Sequence, residues 1–271
     1  MKTVLGLATC FNRKEKTVNA LNRLISGNPE IRFSFIITDD GSSDGTSDAL
    51  RSFENVTVLH GDGNLYYSGG MRMAIDAANA REEEFDYCLL FNDDVEFYDH
   101  CIEYLASLKE DVIWVGPTCD KEGRLVYSGI NRKPGFKPAY THLLAESSEG
   151  VRCETLNGNC VLIPWRIFKK LPNIPEVYHH SFGDYEYGFA ATRMGFEMRV
   201  PDRFIGMCKD DTPSTRNWKN RDLSIRERLK LKESVKGLPF REYFYYLHHN
   251  FGLPTALVYS ATPYIKIMLH R

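Results

Sequence analysis

Short apolar runs and amphipathic stretches take turns along the first half of the chain. Residues Thr3 to Thr9, Phe33 to Thr38 and Val56 to Leu59 are apolar and β-prone, and Cys88 to Phe91 is a fourth such run. Each reads as a buried strand. Between the first two, Val18, Leu21, Leu24 and Ile25 share one face of a helix spanning Lys14 to Ser26, closed by Gly27 and Pro29. Ser43 or Asp44 is placed to cap a second helix that ends near Phe53. Met73, Ile75 and Ala78 mark a third. Strand and helix alternating at this spacing predict βαβ units and a parallel sheet.

The strand ends are polar. The first stops in Thr9-Cys10-Phe11-Asn12-Arg13, the second in Asp39-Asp40-Gly41-Ser42-Ser43-Asp44-Gly45-Thr46, and the fourth in Asn92-Asp93-Asp94. The third leads into Gly63-Asn64-Leu65-Tyr66-Tyr67-Ser68-Gly69-Gly70. In a parallel sheet the carboxyl ends of the strands fall on one edge, and that edge is the binding crevice. Two adjacent carboxylates beside an amide oxygen suit a hard divalent ion, which takes oxygen ligands and shares them with substrate phosphates. The same triplet is also good turn chemistry.

The second half is less regular. Val112 to Val115 reads as a strand, Gly123 to Tyr140 as hairpins or loops over the crevice, and Cys160 to Ile163 as a strand following Asn157-Gly158-Asn159. Pro164 suits the first position of a helix to Leu171. A helix from Tyr185 to Met194, stopped by Gly195, follows the loop ending in Phe182-Gly183-Asp184. Met198 to Phe204 is expected as a last strand, Asp210 to Asn220 as a mobile polar segment, and Leu223 to Glu233 and Phe240 to Phe251 as two helices.

Composition narrows the function. Of 271 residues, 43% are hydrophobic and 26% charged, and the net charge of -2 argues against a nucleic-acid-binding domain. The seven cysteines form no CxxC pair, so a zinc site is not expected. Their odd number, with Met1-Lys2-Thr3-Val4 leading straight into a strand, fits a cytoplasmic protein without a signal peptide. The chain has no apolar run of ~18 residues to cross a bilayer. The tail, Leu253 to Arg271, is apolar with a few basic residues. It fits an amphipathic helix on the inner face of a membrane, and equally a helix packed on its own domain or on a second subunit.

Taken in order, Thr9 to Arg13, Asp39 to Thr46, Asn64 with Gly69-Gly70, Asn92-Asp93-Asp94, and Gly183-Asp184-Tyr185-Glu186 resemble the inverting nucleotide-sugar glycosyltransferases of family 2. Each motif is weak alone, but all five in the family's order make a strong signal. The resemblance is nearest to the bacterial branch that builds cell-surface polysaccharide, including rhamnosyltransferase-like members. It implies an α/β GT-A (nucleotide-diphospho-sugar transferase) fold: a mixed, mainly parallel sheet with helices on both faces. Residues 1–210 would be the GT-A domain, and 211–271 a loop and helical extension of it.

The resemblance implies inverting hexosyl or rhamnosyl transfer from a UDP- or dTDP-sugar to the hydroxyl of a glycan or lipid-linked acceptor. Thr9, Phe11 and Asn12 match the nucleotide-contacting segment; Phe11 is a stacking surface or a core ring. Asp40 matches the acid that accepts a pyrimidine NH, with Asp39 holding the turn and Asp44 capping a helix. Asn64, Gly69 and Gly70 match a segment over the donor, whose glycines would let backbone NH groups approach phosphate. Arg72 reaches phosphate or is a solvated helix arginine. Asn92 and Asp93 lie by the donor, and Asp94 takes the position of the ligand to Mn2+ or Mg2+. Asp184 matches the general base, with Glu186 as the second acid, facing the acceptor or standing in as base.

Two departures stand out. Gly183 replaces the family's first acid, and Gly206-Met207-Cys208-Lys209-Asp210-Asp211-Thr212 lacks the C-terminal metal-ligating histidine, leaving only Asp210 or Asp211 as substitutes. His179-His180 and His248-His249 are elsewhere, as surface or acceptor-side residues. These departures keep a catalytically inactive nucleotide-sugar-binding scaffold in view. A nucleotidyltransferase is the other rival, but Thr9 to Arg13 lacks the glycines of its phosphate loop.

Overall fold

A computed structural model describes residues 1–208 and 217–269. The expectations about Asp210 and Asp211, and most of the segment expected to be mobile, lie outside the described residues. In chain order the elements are β1 (Lys2–Cys10), α1 (Lys14–Gly27), β2 (Ile31–Asp39), α2 (Thr46–Arg51), β3 (Val56–His60), α3 (Tyr66–Asn79), β4 (Tyr87–Phe91), β5 (Glu96–Phe97), α4 (Cys101–Ser107), β6 (Ile113–Val115) and β7 (Thr118–Cys119). There follow β8 (Leu125–Tyr127), β9 (Ile130–Arg132), β10 (Tyr140–His142), β11 (Val151–Arg152), β12 (Cys160–Pro164), α5 (Trp165–Phe168), α6 (Gly183–Arg193), β13 (Met198–Val200), β14 (Gly206–Met207), α7 (Ile225–Glu233), α8 (Phe240–Phe251) and α9 (Leu253–Met268).

The main sheet runs β11-β13-β6-β12-β4-β1-β2-β3. β1 pairs in parallel with β2, from Lys2↔Ile31 to Cys10↔Asp39, and with β4 on its other side. β3 continues the parallel set. Cys10, Asp39, His60 and Phe91 therefore end on one edge. β12 is antiparallel to β4, with Cys160 opposite Phe91, so the residues entering β12 arrive at that same edge. Alternate side chains fill the two faces. Leu5, Leu7, Ile36 and Leu90 pack with Met71 and Ile75 of α3 and with Tyr187 of α6. Val4, Phe35, Leu89 and Leu162 pack with Leu21 and Leu24 of α1 and Ile102 of α4. All seven cysteines are free and buried, as small hydrophobes.

Three differences from the sequence expectations have local causes. The expected last strand stops at Val200, because Pro201 has no NH to donate, and the chain resumes as β14 in a small sheet, β5-β14-β7-β8. The helix after Pro164 is one turn long, and Pro164 itself still pairs with Tyr87 in the sheet. The tail is a helix, α9, as both readings of it expect, parted from α8 by Gly252 at φ 88°. Finally, α3 begins at Tyr66, so Ser68, Gly69 and Gly70 lie inside its first turns.

That last difference places α3 against the crevice end of β1. A Cβ on Gly70 would lie 2.1 Å from Thr9 Oγ1 and 2.7 Å from its Cβ. Gly70 also accepts a 2.9 Å hydrogen bond from the Thr38 hydroxyl. Its lack of a side chain serves close packing of helix on sheet. Gly70→Ala is therefore expected to cost about 1–3 kcal/mol by overpacking, read as a lower urea midpoint with an unchanged slope. An unaltered midpoint would mean that α3 does not press on β1 this closely.

Candidate active site

Asp184 sits in the first turn of α6, half-buried at the crevice. The residue that aims it is Phe182, which adopts φ 68°, a left-handed conformation that costs energy for a bulky residue. Stacking offsets that cost: the Phe182 ring lies 4.4 Å from that of Tyr246 and 5.7 Å from that of Tyr243, both on α8. The Asp184 carboxylate accepts from the Gly158 NH at 3.2 Å and from its neighbour's NH, Tyr185, at 2.8 Å. Burial outweighs these two donors and pushes its pKa up to about 6. Tyr67 shares the crevice with it. Burial, then the charges of Asp184 and Asp94, drive the Tyr67 phenol well above its usual range. One hydroxyl thus feels both acids.

At the end of β4 the two aspartates separate. Asp93 is buried and accepts from Thr17 Oγ1 at 2.9 Å and from Arg13 at 2.8 Å. Desolvation raises its pKa against the pull of Arg13. It anchors α1 to the crevice floor. Asp94 is more open, and its Oδ2 takes the same Arg13 nitrogen at 3.1 Å. Its Oδ1 is buried with no partner. Burial works against the charge on Arg13, but Asp93 and then Asp94 more than restore it, so the guanidinium pKa rises. Asn92 is bound to the loop before β12, donating to Asn159 Oδ1 at 2.6 Å.

The other expected ligand-contacting residues have clear local work. Asp40 is buried, and its carboxylate accepts from the NH groups of Gly63, Leu65 and Tyr66 at 2.9, 3.2 and 2.9 Å. It fixes the loop entering α3, which fills most of the acceptor capacity expected to meet a pyrimidine. Asp39 holds its own turn through the Ser42 NH and the Ser47 hydroxyl. Asp44 takes the NH groups of Lys14 and Thr46, at the starts of α1 and α2. Asn12, at φ 52°, accepts from the Ser43 NH at 2.8 Å and ties the ends of β1 and β2 together. Thr9 donates to the Thr38 carbonyl. Phe11 is 49% exposed, so it is a surface ring and not a core one. Asn64 is exposed, and its NH donates to the Asp62 carboxylate at 2.9 Å. The Ser68 and Gly69 NH groups donate to the carbonyls of His179 and Leu65. Arg72 donates to the carbonyls of Ile174, Pro175 and Tyr178, and so secures the loop before α6.

Glu186 is buried on the junction of α6 and α8. It accepts from Asn250 at 2.7 Å, Tyr178 at 3.2 Å, His249 at 2.8 Å, and Arg193. Two residues along a helix face different ways, and here that separates Asp184 at the crevice from Glu186 in a clamp. Glu186 is expected to face the acceptor or to stand in as base; in the structure its carboxylate holds α8. Glu186→Ala is expected to lose about 1–3 kcal/mol, because Asn250 and Tyr178 are left buried and unpaired, with nucleotide affinity unchanged. Loss of transfer at unaltered melting temperature would instead put Glu186 in the chemistry.

Two crevice residues were not singled out from the sequence. Arg13 lay within the first motif, Tyr67 within the third. His180 has its ring edge-on to Tyr66 at 6.2 Å and a buried Nδ1 without a partner. Burial, Lys236 and Arg13 lower its pKa, so it is a neutral ring beside a cation. No group of three or more His, Cys, Asp or Glu is arranged to hold a metal among the described residues. Yet ions such as Mg2+ need only one or two carboxylates when substrate phosphates supply the rest. The unpartnered Asp94 Oδ1 fits that requirement.

The fold has solved counterparts. The chain superimposes on a mannosyltransferase, PcManGT from Pyrobaculum calidifontis, in complex with GDP-Man and Mn2+. That match has TM-score 0.56 and 14% identity, and covers 99% of this chain and 78% of the other. TarS 1-349 from S. aureus, in complex with UDP-GlcNAc, gives TM-score 0.54 at 14% identity, covering 97% and 74%. GalNAc-T7 with UDP, GalNAc and Mn2+ gives 0.57 at 10%, covering 99% and 56%. At such identities the likeness is one of fold, GT-A. No curated protein sequence matches significantly. The profile of Glycosyl transferase family 2 matches residues 7–148, more than half of the chain and all the strand-end motifs up to Asp94, and the protein belongs to that family.

Proposed function

We propose that this glycosyltransferase moves a hexosyl or rhamnosyl group from a UDP- or dTDP-sugar to a glycan or lipid-linked acceptor, with inversion, in the building of bacterial surface polysaccharide. The observation that carries the reading is Asp184, a carboxylate raised to about 6 by burial and sharing its crevice with Asp94. A general base works best with a pKa near the working pH. The acceptor O–H proton passes to the Asp184 carboxylate as the acceptor oxygen bonds to the anomeric carbon. The bond from that carbon to the diphosphate oxygen breaks, and the nucleoside diphosphate leaves. Attack opposite the leaving group inverts the centre.

Asp94 Oδ1 would hold the divalent cation. When bound, that ion supplies charge neutralisation for the leaving diphosphate. Arg13 keeps a positive charge at the same end of the crevice, and the Tyr67 phenol feels the charge of both acids. Phe11 offers an exposed ring for the base, with Thr9 and Asn12 shaping the strand end beneath it. Among the structural counterparts, two were solved with uridine nucleotides and one with GDP-Man. Residues 1–210 form the catalytic domain in this reading, and the three C-terminal helices extend it.

Asp184→Asn keeps an oxygen that can accept from one of the two backbone NH groups but removes the base. Transfer is expected to fall by ~10²-fold or more while donor binding is retained. In the wild-type enzyme the rate should fall as pH drops below about 6. An acid whose folded pKa lies above its unfolded value of ~3.9 stabilises the fold below that value and loses the contribution as pH rises through the folded pKa. The variant should therefore melt higher than wild type above pH 6 and not at pH ~4. Near-normal transfer by Asp184→Asn would exclude it as the base.

Calorimetry tests the donor site. UDP or dTDP should bind more tightly than GDP, and Mn2+ should strengthen binding to the wild type but not to Asp94→Ala. Equal affinity for GDP removes the pyrimidine preference; an Mn2+ effect that survives in Asp94→Ala removes Asp94 as the ligand.

A further inference from the structure

Helix α9 turns an apolar face outward. Thr255, Ala256, Ser260, Pro263 and Ile267 form its buried side. The opposite side carries Leu253, Leu257, Val258, Ile265, Met268 and the following Leu269, each between 48% and 59% exposed. At 3.6 residues per turn these form one continuous face. A helix on a soluble surface shows polar residues there. From Leu253 to Met268 this helix has no acid at all and one base, Lys266.

One border of that face carries bases, while at the other Tyr264 donates to Glu233. Tyr259, Thr262 and Lys266 follow one another at i, i+3 and i+7 along one edge. Phe136 packs on Tyr259, with ring centroids 5.6 Å apart, and is itself 51% exposed. It is the tip of the loop Lys133-Pro134-Gly135-Phe136-Lys137, whose two lysines are exposed. Nearer the end of α9, Trp218, Lys219 and Arg221 line a groove with Ile265 and Lys266. Lysine is depleted at protein–protein interfaces. An apolar helix face edged by Lys and Arg, with an aromatic beside it, is the make-up of helices that lie in a bilayer surface.

We infer that α9 and the Phe136 loop dock on a bilayer containing anionic lipids. The apolar residues enter the boundary between headgroups and acyl chains. Lys133, Lys137, Lys219, Arg221 and Lys266 face the lipid phosphates. The surface does not depend on the chemistry assigned to the crevice, but α8 joins the two. It packs along α9, and its Asn250 is bonded to Glu186 on the helix that carries Asp184. No helix among the described residues is long and apolar enough to cross a membrane, so the contact is peripheral.

The test is co-sedimentation of the full chain with vesicles of phosphatidylcholine alone and of phosphatidylcholine mixed with phosphatidylglycerol. The protein should pellet with the mixed vesicles, less with the neutral ones, and less again as salt is raised. Leu257→Asp combined with Ile265→Asp should reduce partitioning by about tenfold or more. Lys219→Glu combined with Lys266→Glu should weaken binding to the anionic vesicles alone. All four positions are at the surface, so melting should be unaltered. Wild-type protein that stays in the supernatant with both vesicle types overturns the inference. So does a wild-type dimer that fails to pellet and that Leu257→Asp converts to a monomer, since the face then belongs to a second copy.

Discussion

Parallel pairing of β1 with both β2 and β4 decides where the polar residues of this protein can be. Three strands running the same way, with apolar side chains on both faces, must send their polar ends to one edge. Those ends then stand a few ångströms apart in space though far apart in sequence. Asn12 reaches Ser43, Arg13 reaches Asp93 and Asp94, and Thr38 reaches Gly70. The bonds of Asn12 and Arg13 tie one strand end to another and that of Thr38 ties β2 to α3, so the crevice floor is set by the same pairing that builds the core.

Charge at that edge is balanced unevenly, and the imbalance separates anchoring acids from free ones. Asp93 and Asp40 are buried with their acceptor sites occupied. Such groups are costly to disturb and serve as structure. Asp94 keeps one oxygen without a partner, and Asp184 is lifted by burial toward neutral pH. A raised pKa does not by itself mark a group for chemistry, since the anchoring Asp93 has one too; the oxygen left without a partner is what sets Asp94 apart.

The helical extension is part of this arrangement. Its α8 supplies the rings that stack on Phe182 and the Asn250 and His249 that meet Glu186. Its Glu242 holds His179, whose carbonyl accepts the Ser68 NH at the start of α3. The amino end of α6, with Asp184, is thus held between the sheet and the extension. Through α9 the same extension offers an apolar surface to the outside.

Hydrophobic periodicity alone carried the βαβ alternation, the crevice edge and the four amino-terminal strands, because strand and helix repeats are local properties of the chain. The motif residues were legible for the same reason: a strand that ends in acids announces itself in sequence. Local pattern also placed Asp184 and Glu186 on different faces of one helix. It did not say what each face meets. Whether Asp40 finds a ligand or the loop into α3, whether Arg72 meets phosphate or three carbonyls, and whether Gly70 makes room for phosphate or for Thr9 depend on which segments come together. Partners such as Arg13 with Asp93, or Glu186 with Asn250, lie dozens of residues apart. Only packing of the finished fold brings them within bonding distance, so only the tertiary structure could decide which carboxylates were already taken.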